Sequence, residues 1–107
     1  MEQDCTQLVE RLSAFEARLG VGLSAIFAGW NPEFQFLIVR GELRCNSGSE
    51  LAEALSVNKV AYDDRGRVVA TCEHYVSPDE FFEFLVFDLH LSVTNKPAKV
   101  RLFPKKS

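Results

Sequence analysis

Four side chains in the second half of this 107-residue chain could do chemistry together: Cys72, His74, Asp88 and His90. Cys72 and His74 are two residues apart, as are Asp88 and His90, so on strands each pair shares a face. A thiol, two imidazoles and a carboxylate brought together could hold a transition metal or form a nucleophile–base pair. Convergence depends on register. If residues 67–76 and 81–91 pair directly across the short loop between them, His74 falls opposite roughly Glu83 and His90 opposite roughly Arg67. At ~3.3 Å per residue the imidazoles are then on the order of 20 Å apart. Only a crossover between two sheets would bring them together. A small metal-binding protein or enzyme using these four residues is therefore the alternative reading. The primary one makes Cys72 a small core residue and each histidine a surface or rim residue, and assigns no catalytic, cofactor-binding or metal-binding residue.

Other chemical signatures are missing from the sequence. Gly20-Val21-Gly22 lacks the third glycine and the following helix of a dinucleotide fingerprint, and no cysteine pair has zinc-ribbon spacing. The three cysteines, Cys5, Cys45 and Cys72, are odd in number and widely spaced, a poor disulfide framework that favours a reducing cytoplasm. Met1-Glu2-Gln3-Asp4 is acidic and polar, unlike the basic start and apolar core of an export signal, and no stretch has the roughly 18 apolar residues of a membrane span.

The net charge of −3 is unevenly spread. Lys96, Lys99, Arg101, Lys105 and Lys106 give residues 96–107 a charge of +5 with no acid among them, which leaves −8 on the rest. Such a strip suits phosphate or an acidic partner, or else it guards an edge strand and ends in a frayed tail. A sequence pI near 5.3 argues against a nucleic-acid partner.

The elements that must position these residues centre on Phe81–Leu91, which holds four of the nine phenylalanines. Apart from Glu83, its odd positions stay apolar to the end, while its even positions turn polar at Asp88 and His90. That pattern predicts a central strand covered on both faces at its start, with Phe84, Leu85 and Phe87 in the core. Before it, Leu8, Leu12, Phe15 and Leu19 form one apolar stripe, predicting a helix over residues 4–19 with Asp4 as N-cap and Gly20 past its end. Strands are expected over Leu23–Trp30, Glu33–Asn46, Ala54–Asp63, Arg67–Val76 and Lys99–Phe103. Gly41 is expected to mark a bulge or a bend between sheets. A parity shift between Val57 and Val60 predicts a second irregularity. Trp30, at the Asn31-Pro32 turn, is expected to cap one end of the core. Asp63-Asp64-Arg65-Gly66 suits a type I turn leading into a bulge, Asn46–Ser49 is a polar turn, and Pro104 is expected to end the last strand. No connection is long enough for a parallel crossover, so the strands are expected to be antiparallel. The whole chain, 1–107, then forms one domain, a helix at 4–19 followed by a β-sandwich at 23–104.

From Ile38 onward the chain resembles the FxLYD family of small immunoglobulin-like β-sandwich domains. The resemblance rests on Ile38-Val39-Arg40-Gly41-Glu42-Leu43, the Asn46-Ser47 turn, Val57, Tyr62-Asp63-Asp64-Arg65-Gly66-Arg67-Val68-Val69, and Ser77-Pro78-Asp79-Glu80 before Phe82-Glu83-Phe84. Lys59 and Ala61 stand where the family's name motif wants phenylalanine and leucine. The resemblance implies an antiparallel immunoglobulin-like sandwich of six to seven strands. It also implies a binding or accessory role without catalytic residues or cofactor. Such domains are usually exported or tethered to a bacterial envelope. The partner is then another protein, or a second copy of this chain joined through the uncharged Leu23–Trp30 edge, with the helix covering that edge within one chain or across a two-fold axis.

Overall fold

The computed structural model describes residues 2–46 and 48–107. Ser47, part of the expected Asn46–Ser49 turn, lies outside the described residues. In chain order the elements are β1 (Gln3–Asp4), a 3-10 turn at Thr6–Leu8, β2 (Val9–Arg11), α1 (Ser13–Leu19), β3 (Val21–Asn31), β4 (Phe36–Cys45), β5 (Leu55–Tyr62), β6 (Val68–Val76), β7 (Phe84–Ser92) and β8 (Lys99–Lys106). Among the described residues the chain is mainly β, with two four-stranded sheets, β1-β3-β4-β7 and β2-β8-β5-β6, and one α-helix. There are thus eight strands where six to seven were expected, the short N-terminal β1 and β2 being additional. Inward residues of both sheets, among them Val21, Leu37, Val39 and Phe87 from one and Val57, Ala61 and Leu102 from the other, build a common core. Trp30 is part of it.

The N-terminus departs most from expectation. Only residues 13–19 of the expected 4–19 helix are α-helical. Asp4 does not cap it. Its carboxylate accepts from Thr6 N at 2.9 Å and from Thr6 Oγ1 at 2.7 Å, closing a tight local turn. Backbone pairing then outcompetes the helix. Cys5 N donates to Ala28 O, Ala28 N donates to Thr6 Oγ1, and Val9–Arg11 pairs with Val100–Leu102. That last pairing is parallel, so the sheets are not wholly antiparallel. Its crossover is nearly the whole chain, which a search for short local connections overlooks. Gly20 does close α1 in the left-handed region, at φ 69°.

The same segment covers the β3 edge within the chain. Gln3 and Asp4 pair with Trp30 and Gly29. Farther along, Leu23 N donates to the buried Glu16 carboxylate at 3.2 Å and Leu23 O accepts from Arg11. The edge that invited a second copy is thus occupied by side chains and backbone of the same molecule.

Four smaller expectations also change. β4 runs unbroken through Gly41, which pairs with Phe87. A Cβ at Gly41 would stand 2.6 Å from Ile26 Cδ1 and 2.7 Å from Phe87 Cζ, so glycine serves close packing there. The bulge lies on β3 between Ser24 and Phe27, with Ala25 at φ 54°. β8 is not an edge but sits between β2 and β5, and it continues through Pro104 to Lys106. Finally, β5 has no irregularity between Val57 and Val60. It is regular there because Lys59 points inward.

Candidate binding face

A crossover between sheets does occur. β6 and β7 belong to different sheets, joined by Ser77–Glu83. The two edge strands lie side by side, close enough for Cys72 Sγ to donate to His90 O at 3.4 Å. The four chemical side chains still do not assemble. Cys72 and His74 are on the inward, half-buried positions of β6, whereas Asp88 and His90 are on the exposed outer face of β7. Among the described residues no three His, Cys, Asp or Glu side chains are grouped so as to hold a metal ion.

Asp88 and His90 instead join a ladder on the outer face of β4 and β7. Strand register sets Arg40 against Asp88 and Ile38 against His90. The Asp88 carboxylate bridges two neighbours, with Oδ1 2.9 Å from His90 Nε2 and Oδ2 3.3 Å from Arg40 Nε. The His90 ring stacks on Phe36 at 6.3 Å between centroids, and Phe36 stacks on Phe34 at 6.4 Å. At the other end Arg44 reaches Glu42 at 3.2 Å and lies over the Phe84 ring at 5.2 Å.

This face is more apolar at its ends than an ordinary sheet surface. Phe34 is 69% exposed, Phe82 68%, Val86 60% and Phe84 44%. The expectation that Phe81–Leu91 begins covered on both faces, with Phe84 in the core, is therefore corrected. Phe87 is fully buried and Leu85 half-buried, but among the described residues no second layer packs over the even positions, because the second sheet lies on the other side. Entry to β7 is a tight turn, with Glu83 at φ 64° and Phe84 N donating to Phe82 O at 2.7 Å. It sends Phe81 into the core and leaves Phe82 outside.

Lys59 is the residue that sequence reasoning passed over. It lies opposite Cys72 on the inner face of β5 and is completely buried. Its ammonium crosses the core and donates to Leu37 O at 3.1 Å and Leu89 O at 2.7 Å, on the adjacent strands β4 and β7 of the other sheet. Burial pushes its pKa down to about 8, while Cys72, Asp88 and Cys5 pull weakly upward. The available signal was parity. Leu55, Val57 and Ala61 alternate inward, and Lys59 is the remaining member of that set.

No helix among the described residues is long and apolar enough to cross a membrane. In comparisons with known proteins, no family model, curated protein or solved structure matches the chain.

Proposed function

We propose that this chain is a non-catalytic binding module that holds a protein partner on the outer face of β4 and β7. The observation that carries this reading is the exposed set Phe34, Phe82, Phe84 and Val86 on a sheet whose other side is core. Large apolar side chains exposed at both ends of one sheet face favour a partner. Aromatic anchors beside a paired charge network resemble the composition of protein interfaces. The reactive groups on the face, Asp88 and His90, are engaged with each other and with Arg40 rather than aimed at a cavity.

The same reading takes the fold as an immunoglobulin-like sandwich similar to FxLYD domains. It is supported by the two four-stranded sheets and by the β5–β6 hairpin closed at Asp63–Gly66. A reducing compartment is supported by Cys5, Cys45 and Cys72, all free thiols.

The test is photocrosslinking from position 84 in native extract, followed by binding measurements with the purified captured protein. Phe34→Ser and Phe84→Ser should each weaken that binding by about tenfold or more, the size of an interface anchor. An affinity indifferent to both changes would sink the reading.

A further inference from the structure

β2 pairs with β8 only from Val100 to Leu102. Beyond that point the flank of β8 is met by α1, with Phe15 against Phe103 at 5.1 Å between ring centroids. The two elements diverge and leave a groove of about 450 Å³ between Phe15, Arg18 and Leu19 on one wall and Pro104, Lys105 and Lys106 on the other, with Glu53 at one end. Leu19, Glu53 and Lys106 also border a recess of about 50 Å³ lined by Leu51, Ala52 and Leu55.

The charge here is one-sided. Three cations face one carboxylate, and Lys106 already pairs with Glu53 at 3.5 Å. Arg18 and Lys105 have no acidic partner among the described residues. The surroundings differ: at the opposite end of β8, Lys99 and Arg101 share Glu10. Arg18 of α1 and Lys105 of the basic C-terminal strip thus leave unpaired positive charge at this groove, beside the apolar side chains of Phe15, Leu19 and Pro104.

We propose that this groove binds an extended acidic peptide whose carboxylates face Arg18 and Lys105 and whose one small apolar side chain enters the Leu19–Leu51–Leu55 recess. Charge complementarity selects an acidic occupant. The size of the recess selects the apolar group. At about 50 Å³ the recess is small, which suits a short apolar side chain such as valine better than an acyl chain. This site is separate from the β4–β7 face and stands or falls apart from it.

The experiment is an amide NMR titration of the full chain at low salt with the acetylated, amidated pentapeptide Glu-Asp-Val-Asp-Glu. Shifts should concentrate at Phe15, Arg18, Leu19, Leu51 and Lys105. The double change Arg18→Glu, Lys105→Glu should weaken binding by about tenfold, while Lys96→Glu, an exposed cation in the loop before β8, should leave it unchanged. A peptide with serine for valine should bind several-fold more weakly. All these changes are at exposed positions, and amide spectra outside the groove report that each variant is folded. Shifts shared by every surface lysine, no shift at millimolar peptide, or equal binding of the serine peptide would each overturn the proposal. Binding of phosphatidylserine vesicles through Arg18 and Lys105 without peptide shifts would overturn it in favour of a membrane surface.

Discussion

Lys59 Nζ stands 2.7 Å from Leu89 O, so a cation rooted in one sheet is hydrogen-bonded to the backbone of the other. Among the described residues no carboxylate pairs with it, and it has no exposure to water. The bond ties the sheets together, while the charge it carries opposes burial.

That conflict gives a pH dependence with a definite sign. The folded-state pKa of about 8 lies below the ordinary 10.5, so the folded protein loses this proton before the unfolded chain does. The burial penalty is present in full below about pH 8 and fades as pH rises through 10.5. A gap of this size corresponds to about 3 kcal/mol. Urea unfolding of the wild type and of Lys59→Met at pH 7 and pH 10.5 reads it. The wild type should gain about 3 kcal/mol relative to the variant over that interval. Taking the difference removes the opposing contribution of Cys5, whose thiol is pushed up by burial. A difference that does not change with pH would mean that the amine is solvated.

Phe84 and Phe87 lie on opposite faces of β7, and truncation should separate them. Phe87 is fully buried, so Phe87→Ala should cost ~3–5 kcal/mol of a total of about 5–15 kcal/mol. Phe84→Ala, at a solvent-facing position, should cost less than about 1 kcal/mol. Thermal or urea unfolding of the two variants checks the facing of the strand, and equal losses would contradict it.

Gly41 faces Ile26 and Phe87 at distances no Cβ can accept unless they move. Gly41→Ala should therefore destabilise by ~1–3 kcal/mol through overpacking. In a Phe87→Leu background the same change should cost clearly less, since the residues share one space. Additive losses in the double-mutant cycle would show that the strand, and not the side chain, resists the methyl group.

Glu16 holds the β3 edge by accepting from Leu23 N, and Arg11 Nε lies 3.5 Å from its other oxygen, which has no hydrogen-bond partner. Glu16→Ala should cost ~1–3 kcal/mol by leaving a buried N–H unsatisfied. Hydrogen exchange at the Leu23 amide should accelerate in the variant well beyond any change at Val57 in the other sheet. Unchanged protection at Leu23 would show that the N-terminal segment does not guard this edge.

Much of the β framework was legible in local chemistry. Gly66 at φ 78° and Asp63, whose Oδ1 accepts from Arg65 N and Arg67 N, close the β5–β6 hairpin as the Asp63–Gly66 spacing predicts. The backbone and side-chain hydrogen bonds there also hold the Asp63 carboxyl below its usual range. Gly20 ends α1 for the same reason of backbone freedom. The inward set Leu85, Phe87, Leu89 and Leu91 follows directly from period two. These features depend on residues close together in sequence, so the chain states them without help.

Tertiary structure decided what depends on distant partners. The stripe Leu8, Leu12, Phe15 and Leu19 suits a long helix. Yet Val9–Arg11 became a strand because β8, some ninety residues away, offered its unpaired edge. Whether β6 pairs with β7 or faces it across a sheet boundary is not written in either strand, and that choice put Cys72 beside the His90 backbone with Asp88 and His90 on the outer face. Lys59 is the sharpest case. A lysine reads as solvent-facing until a second sheet supplies two carbonyls within reach of its ammonium, and only then can the position be core.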